Sequence, residues 1–365
     1  MPEHRLEDKN MVSITRTKRY FITCFLTFIA VTATDSTNVM ESTESTETFS
    51  SSDSIKCAII LEDEMYSKTG LNTGFNYELL RQFAKTCRRK AEVVTAKKGE
   101  NYLDSLMAGT VDIVVVRPDN RQGEANYMVS MKTGENSVWA VRKGEINKIK
   151  IVNSWIRHFE MTDEYKVTKD RFFSSYSPTK ADAGIHSHTL SPYDSIIKKY
   201  AKKIGWDWRM LAAVVYQESK FSISSHSGRG AAGLMQVLPS TAEYYNIRNL
   251  TDPEENIKAG TLHLARLQYM FKGDNMEQCE KIKFTLAAYN AGEGRVADCR
   301  SLAKSRGFDN NIWEDVLKVI PEMRTDDILD VECVKLGKFK GHETTRYVEN
   351  VMEIYNAFCT ICPKA

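Results

Sequence analysis

A chain of 365 residues, 42% of them hydrophobic and 10% aromatic, is long enough for two domains and has the make-up of ordinary globular packing, which excludes general disorder. The 50 basic and 48 acidic residues give a net charge of +2, and without residues 1–33 the balance is 45 against 45. Near-neutrality of this kind supplies no general attraction for nucleic acid, so no nucleic-acid partner is expected.

Residues 1–33 read as an export signal. Arg16, Lys18 and Arg19 form the positive region, Tyr20 to Val31 the apolar one, and Val31-Thr32-Ala33 a small-residue cleavage site. The apolar run is roughly a dozen residues, short of the ~20 that span a bilayer, so cleavage rather than anchoring is expected. Cys24 lies within the signal and is discarded with it. Seven cysteines remain, in keeping with an oxidising compartment, and the odd number leaves at least one free or paired between molecules. The spacing leaves connectivity open; Cys279 with Cys299 is the favoured bridge, and Cys359 with Cys362 reads as a structural disulfide rather than a metal pair.

Residues 34–54 are Ser, Thr, Glu and Asp with almost nothing apolar and form a disordered linker. Order is expected from 55 to 180: a strand at Cys57–Leu61, a helix at Phe75–Cys87, a strand at Ala91–Thr95, a helix near Tyr102–Met107 and a strand at Val111–Val116. A further strand at Val138–Val141 and helices at Ile146–Phe159 and Asp163–Phe173 complete an α/β layer with a largely parallel sheet. Gly74-Phe75-Asn76-Tyr77-Glu78-Leu79-Leu80, followed by Gly109-Thr110-Val111-Asp112-Ile113-Val114, resembles the first lobe of the extracellular solute-binding proteins. Those proteins bind amino acids or peptides between two lobes. About twenty residues separate Val116 from Val138, so the second lobe is missing or vestigial and a structural or regulatory half-domain is expected.

Pro178 to Pro192, with His186 and His188, marks a linker, set at 181–192. From 193 to 365 the pattern is helical: Tyr193–Ile204, Trp208–Lys220, Pro239–Tyr245, Pro253–Phe271, Glu280–Ala291, Gly294–Arg306, Trp313–Val319 and Thr344–Phe358. The chain therefore reads as an α+β multidomain protein, a small α/β half-domain followed by an all-α domain. In the second of these helices Glu218 sits directly above Val214 and Val215. Loss of water and the negative end of the helix dipole both favour its protonated form, the state of a general acid at neutral pH. Gly228, Gly230 and Gly233 follow in a loop suited to close approach of a ligand.

Glu218-Ser219, Gly233-Leu234-Met235-Gln236, Leu238-Pro239-Ser240-Thr241-Ala242, Asn256-Ile257 with Gly260, Ala288-Tyr289-Asn290-Ala291-Gly292, and Glu343-Thr344 with Tyr347-Val348 stand in order between 218 and 348. Together they resemble the lytic transglycosylases of the soluble type, glycoside hydrolase family 23, with a goose-lysozyme-like fold. The upstream half-domain resembles the arrangement of the membrane-bound F type. The resemblance implies an enzyme of the periplasm that cleaves the β-1,4 bond between N-acetylmuramic acid and N-acetylglucosamine in peptidoglycan glycan strands. It leaves a peripheral association with the outer membrane open. In the family, the glutamate matching Glu218 protonates the glycosidic oxygen and then, as a base, takes the C6 hydroxyl proton so that a 1,6-anhydro ring closes. One carboxylate then serves both steps, with no metal and no cofactor, where ordinary glycosidases need two.

The remaining matches are substrate-binding positions. Ser227 is placed near the acetamido group, Met235 as an apolar wall, and Gln236 as a hydrogen-bonding contact through both ends of its amide. Tyr289 and Asn290 line the site, where a phenol either positions the carboxyl or stabilises developing charge, and Glu343 and Tyr347 form a pair nearby. Two other functions compete: a hydrolytic muramidase, for which Glu243 and Asp252 are further carboxylates, and a non-catalytic peptidoglycan- or peptide-binding protein.

Overall fold

The computed structural model describes residues 53–61, 69–96, 100–119, 126–134, 136–173, 189–271 and 275–363. The export signal, nearly all of the 34–54 linker, and the two linker histidines lie outside the described residues.

The first unit is a five-stranded sheet. Its strands are β1 (Ser54–Ile59), β2 (Lys90–Thr95), β3 (Ile113–Val116), β4 (Tyr127–Val129) and β5 (Val138–Arg142), in the order β2-β1-β3-β5-β4. β1 pairs in parallel with β2 (Cys57 opposite Val93) and with β3 (Ala58 opposite Val114). β5 runs antiparallel to both β3 and β4. The sheet is therefore mixed, where strands separated by helices had suggested a largely parallel one. The difference arises at β4, three residues long, which pairs with β5 through a short return rather than a helical crossover.

Alternation along the strands buries both faces. Ile113, Val115, Trp139 and Val141 point into one layer, and Val114, Val116, Val138 and Ala140 into the other. The first layer is closed by α1 (Thr69–Thr86), through Phe75, Leu79, Leu80 and Phe83, and by α3 (Ile146–Glu160) and α4 (Asp163–Phe173). Trp139, Trp155 and Phe159 stack in succession there, with centroids 5.7 and 4.7 Å apart. The second layer is closed by α2 (Tyr102–Met107) through Leu103 and Leu106.

The second unit is helical: α5 (Asp194–Ile204), α6 (Trp208–Ser219), α7 (Pro239–Tyr244), α8 (Pro253–Met270), α9 (Gln278–Ala291), α10 (Glu293–Ser305), α11 (Trp313–Leu317) and α12 (His342–Ile361). α6 is its central element. Met210 to Val215 are all buried, so the helix is apolar on every side and must be enclosed by its neighbours. Asp207 caps it through the Arg209 N–H (3.0 Å), and Lys220 ends it in the left-handed region at φ 53°. α12 lies along it, with Arg209 Nη1 donating to the Cys362 carbonyl at 2.9 Å and Phe358 set against Tyr216 and Phe221.

The two units share a seam. Tyr77 of α1 donates to Asp252 at 2.8 Å, and Phe172 of α4 meets Tyr193 edge-on at 6.0 Å. No helix among the described residues is long and apolar enough to cross a membrane.

All seven described cysteines are free, which corrects both disulfides expected from spacing. Cys299 is buried inside α10 while Cys279 is exposed at the start of α9. Cys359 lies in the last turn of α12 and Cys362 just beyond it, where the backbone leaves the helix at φ −123° and ψ 76°, and the two thiols stay separate.

Candidate active site

Glu218 occupies the last turn of α6, half-buried, above Val214 and Val215, which are both fully buried. Loss of solvent pushes its carboxyl from the ordinary 4.5 up to about 7, against the opposing effect of a hydrogen bond from Tyr347. That bond is short: Tyr347 Oη donates to Glu218 Oε1 at 2.6 Å. Tyr347 is itself buried in α12, and its hydroxyl is pushed well above the usual phenol range first by burial and then by the Glu218 charge. Tyr289 of α9 is raised by the same two causes, so both phenols remain protonated beside the carboxyl. Among the described residues no group of three or more His, Cys, Asp or Glu side chains is arranged to hold a metal ion.

The loop after α6 is held from three directions. Ser219 Oγ donates to the carbonyls of Val215 (3.1 Å) and Leu234 (2.8 Å), making it a hydrogen-bonding residue of the helix end. Asn256 of α8, 1% exposed, accepts from the Met235 N–H (2.8 Å) and donates to the Ala232 and Leu250 carbonyls (2.9 Å each). Tyr289 Oη donates to the Met235 carbonyl at 2.7 Å. Gly233 makes the tight turn at φ 74°; a Cβ there would lie 2.2 Å from Asn256 Nδ2 and 2.6 Å from the Leu250 carbonyl. Short antiparallel bridges, His226 with Ala232 and Ala232 with Val237, complete the loop.

This arrangement changes what several of the sequence-predicted residues do. Tyr347, rather than Tyr289, hydrogen-bonds the carboxyl; Tyr289 bonds the loop main chain instead. Met235 is fully buried with its thioether against Gly260, so it supplies no exposed wall. The exposed apolar side chain of this segment is Leu238, 42% exposed, since Met235 and Val237 turn inward while Gln236 and Leu238 face outward. The Gln236 amide nitrogen is already donated to the Ser225 (2.9 Å) and Gly233 (3.0 Å) carbonyls, so only its oxygen end is free of such commitment. Ser227 is exposed, and its hydroxyl accepts from the Ala231 N–H at 3.0 Å rather than bonding Glu218.

Asn290 is exposed and accepts from Thr344 Oγ1 at 2.8 Å, which joins α9 to the first turn of α12. Glu343 is exposed in that same turn. Neither further carboxylate is poised over Glu218: Asp252 caps α8 and receives Tyr77, and Glu243 is exposed on α7. The sequence flagged Asn256 as part of a motif but missed its use. A buried Asn on the apolar face of an otherwise periodic helix was the available signal.

A helical domain with one desolvated, phenol-held carboxyl beside a pinned loop is the class that this fold and site define. Residues 195–312 match the Transglycosylase SLT domain. Among curated proteins the chain is 32% identical over 225 residues to the membrane-bound lytic murein transglycosylase F of Desulfosudis oleivorans, covering 60% of this chain and 48% of that protein. It is 36% identical over 172 residues to the protein of the same name from Marinobacter nauticus, covering 47% and 34%. The chain thus spans about half, or less, of the length of the curated relatives it matches. Among solved structures it is similar to the 70 kDa soluble lytic transglycosylase Slt70 of Escherichia coli, at 22% identity and a TM-score of 0.31, over 60% of this chain and 28% of that one.

Proposed function

We propose that the protein is a peptidoglycan lytic transglycosylase with Glu218 as its single catalytic carboxyl. The observation that carries this reading is the carboxyl itself, raised to about 7 by burial and held by Tyr347 in an SLT domain. At neutral pH a substantial share of the protein then holds the proton that a leaving oxygen requires. Glu218 gives that proton to the glycosidic oxygen as the bond to the N-acetylmuramic C1 breaks. The resulting carboxylate takes the proton of the C6 hydroxyl, whose oxygen closes onto C1. The glutamate ends protonated, as it began, and no water enters the products.

Tyr347 orients the carboxyl and stabilises its charged form between the two steps. Gln236, through its oxygen, and the outward face of Leu238 offer a polar and an apolar contact to a sugar, with Asn290, Glu343 and Ser227 at the exposed margin. Met235 acts from below, through the carbonyl that seats Tyr289. Residues 1–33 are proposed to direct the chain to the periplasm, where the glycan strands lie; peripheral attachment to the outer membrane belongs to the same proposal. Incubating wild type and Glu218→Gln with purified sacculi, with mass spectrometry of the released muropeptides, tests the reading. It expects 1,6-anhydromuramyl ends from the wild type and a loss of at least about 10²-fold in the variant. Undiminished release by Glu218→Gln would remove Glu218 from its role.

A further inference from the structure

His263 of α8 stands beside the candidate active site. Its ring lies 5.5 Å from that of Tyr289, centroid to centroid, at 53°. The Tyr289 hydroxyl ends on the Met235 carbonyl, directly before Gln236, and the next residue of α9, Asn290, is exposed. The imidazole is therefore one ring away from the segment that carries Gln236. It is half-buried, and among the described residues its two nitrogens have no hydrogen-bond or ion-pair partner. Polar groups withdrawn from bulk water are as a rule hydrogen-bonded, which leaves these nitrogens to a group from outside the chain.

The surroundings keep the ring uncharged and in place. Arg266, one turn along α8, donates to Glu293 Oε1 of α10 at 2.8 Å, so the two charges are committed to each other. Tyr245, just past α7, bonds Arg266 and donates to the Leu262 carbonyl at 3.3 Å, which ties α7, α8 and α10 together around the histidine. Burial first, and then the Arg266 charge, hold the imidazole below its ordinary 6.5, against the pull of Glu293. At neutral pH one of its nitrogens donates and the other accepts. An uncharged donor and acceptor beside an aromatic ring match an N-acetylated sugar, whose hydroxyl and acetamido groups donate and accept without charge and whose ring carbons pack on apolar faces. From this placement we infer that His263 is a substrate-binding residue: its imidazole hydrogen-bonds an N-acetylated sugar of the strand held beside Glu218, with the Tyr289 ring next to it. The inference rests on the proposed glycan substrate and adds a contact from α8, where the sequence motifs mark only Asn256, Ile257 and Gly260.

A packing role and a bonding role order two substitutions oppositely. His263→Phe keeps a ring against Tyr289 and cannot hydrogen-bond, whereas His263→Gln loses the ring and keeps a donor and an acceptor. Calorimetric titration of the full chain with a stem-free tetrasaccharide of alternating N-acetylglucosamine and N-acetylmuramic acid, in the Glu218→Gln background so that nothing is cleaved, reads that order at neutral pH. The Glu218→Gln chain is expected to bind; adding His263→Phe weakens binding about five- to tenfold, the scale of one hydrogen bond, and adding His263→Gln weakens it by less than about threefold. Affinity is compared rather than stoichiometry, so a partly unfolded variant does not imitate the effect. Unchanged affinity with Phe, a Gln variant as weak as the Phe variant or weaker, or no binding by the Glu218→Gln chain would overturn it. Cleavage of sacculi by the wild type is scored separately. The expected order of affinities without 1,6-anhydro ends would remove the lytic reaction alone, and 1,6-anhydro ends without that order would remove only the role of His263.

Discussion

Glu218 is costly to the fold in the same degree that it is suited to acid catalysis. Its folded-state value of about 7 lies above the 4.5 of an exposed carboxyl, so the native state binds this proton more tightly than the unfolded chain. The destabilisation is absent below about pH 4.5, grows as pH rises toward 7, and is fully present above it. Glu218→Gln keeps the shape and removes the charge. It is expected to raise stability at pH 8 by up to about 3 kcal/mol, with no gain at pH 4, in urea denaturation at the two pH values. A gain of equal size at both would mean that the charge is not its source. Tyr347 acts in the opposite direction, since its hydrogen bond favours the carboxylate. Tyr347→Phe should therefore move the alkaline limb of the pH–kcat/KM profile to higher pH, while lowering the maximum. A limb that stays or moves down would show that the phenol does not act on Glu218.

At the scale of elements, the site depends on how α6, α8, α9 and α12 hold one loop. Asn256 carries most of that from α8, with three main-chain hydrogen bonds from a single buried amide. Asn256→Ala leaves a Met235 N–H and two carbonyls without their partner. Several kcal/mol of destabilisation are expected, at about 1–3 kcal/mol for each buried group left unsatisfied, measured as a fall in the urea midpoint. A change under about 1 kcal/mol would show that water or a rearranged loop replaces the amide. The helices themselves were readable from the sequence: apolar spacing placed Trp208–Ser219 and Pro253–Met270 to within a residue or two, and Pro239 and Pro253 marked starts where a missing N–H costs nothing. The loop was not. Gln236 sits at φ 46°, and this turn decides that Met235 points inward and Leu238 outward, a choice no periodicity encodes.

Across the whole molecule, the sequence motifs converge because α12 lies along α6 while α8 and α9 hold the loop that follows it, and only the tertiary pairs show which phenol reaches the carboxyl. The short β4 and the mixed sheet escaped the sequence, since three residues carry too little pattern to declare a strand. How the sheet unit packs on the helical one was not legible either, since the seam rests on single pairs such as Tyr77 with Asp252 and Phe172 with Tyr193. The central claim is that one carboxyl cleaves the glycan without water. Digestion of purified sacculi by the wild-type chain in ¹⁸O-labelled water, with mass spectrometry of the muropeptides, tests it most directly. The account predicts unlabelled products one water lighter than hydrolysed ends; ¹⁸O at the muramic C1 position would contradict it.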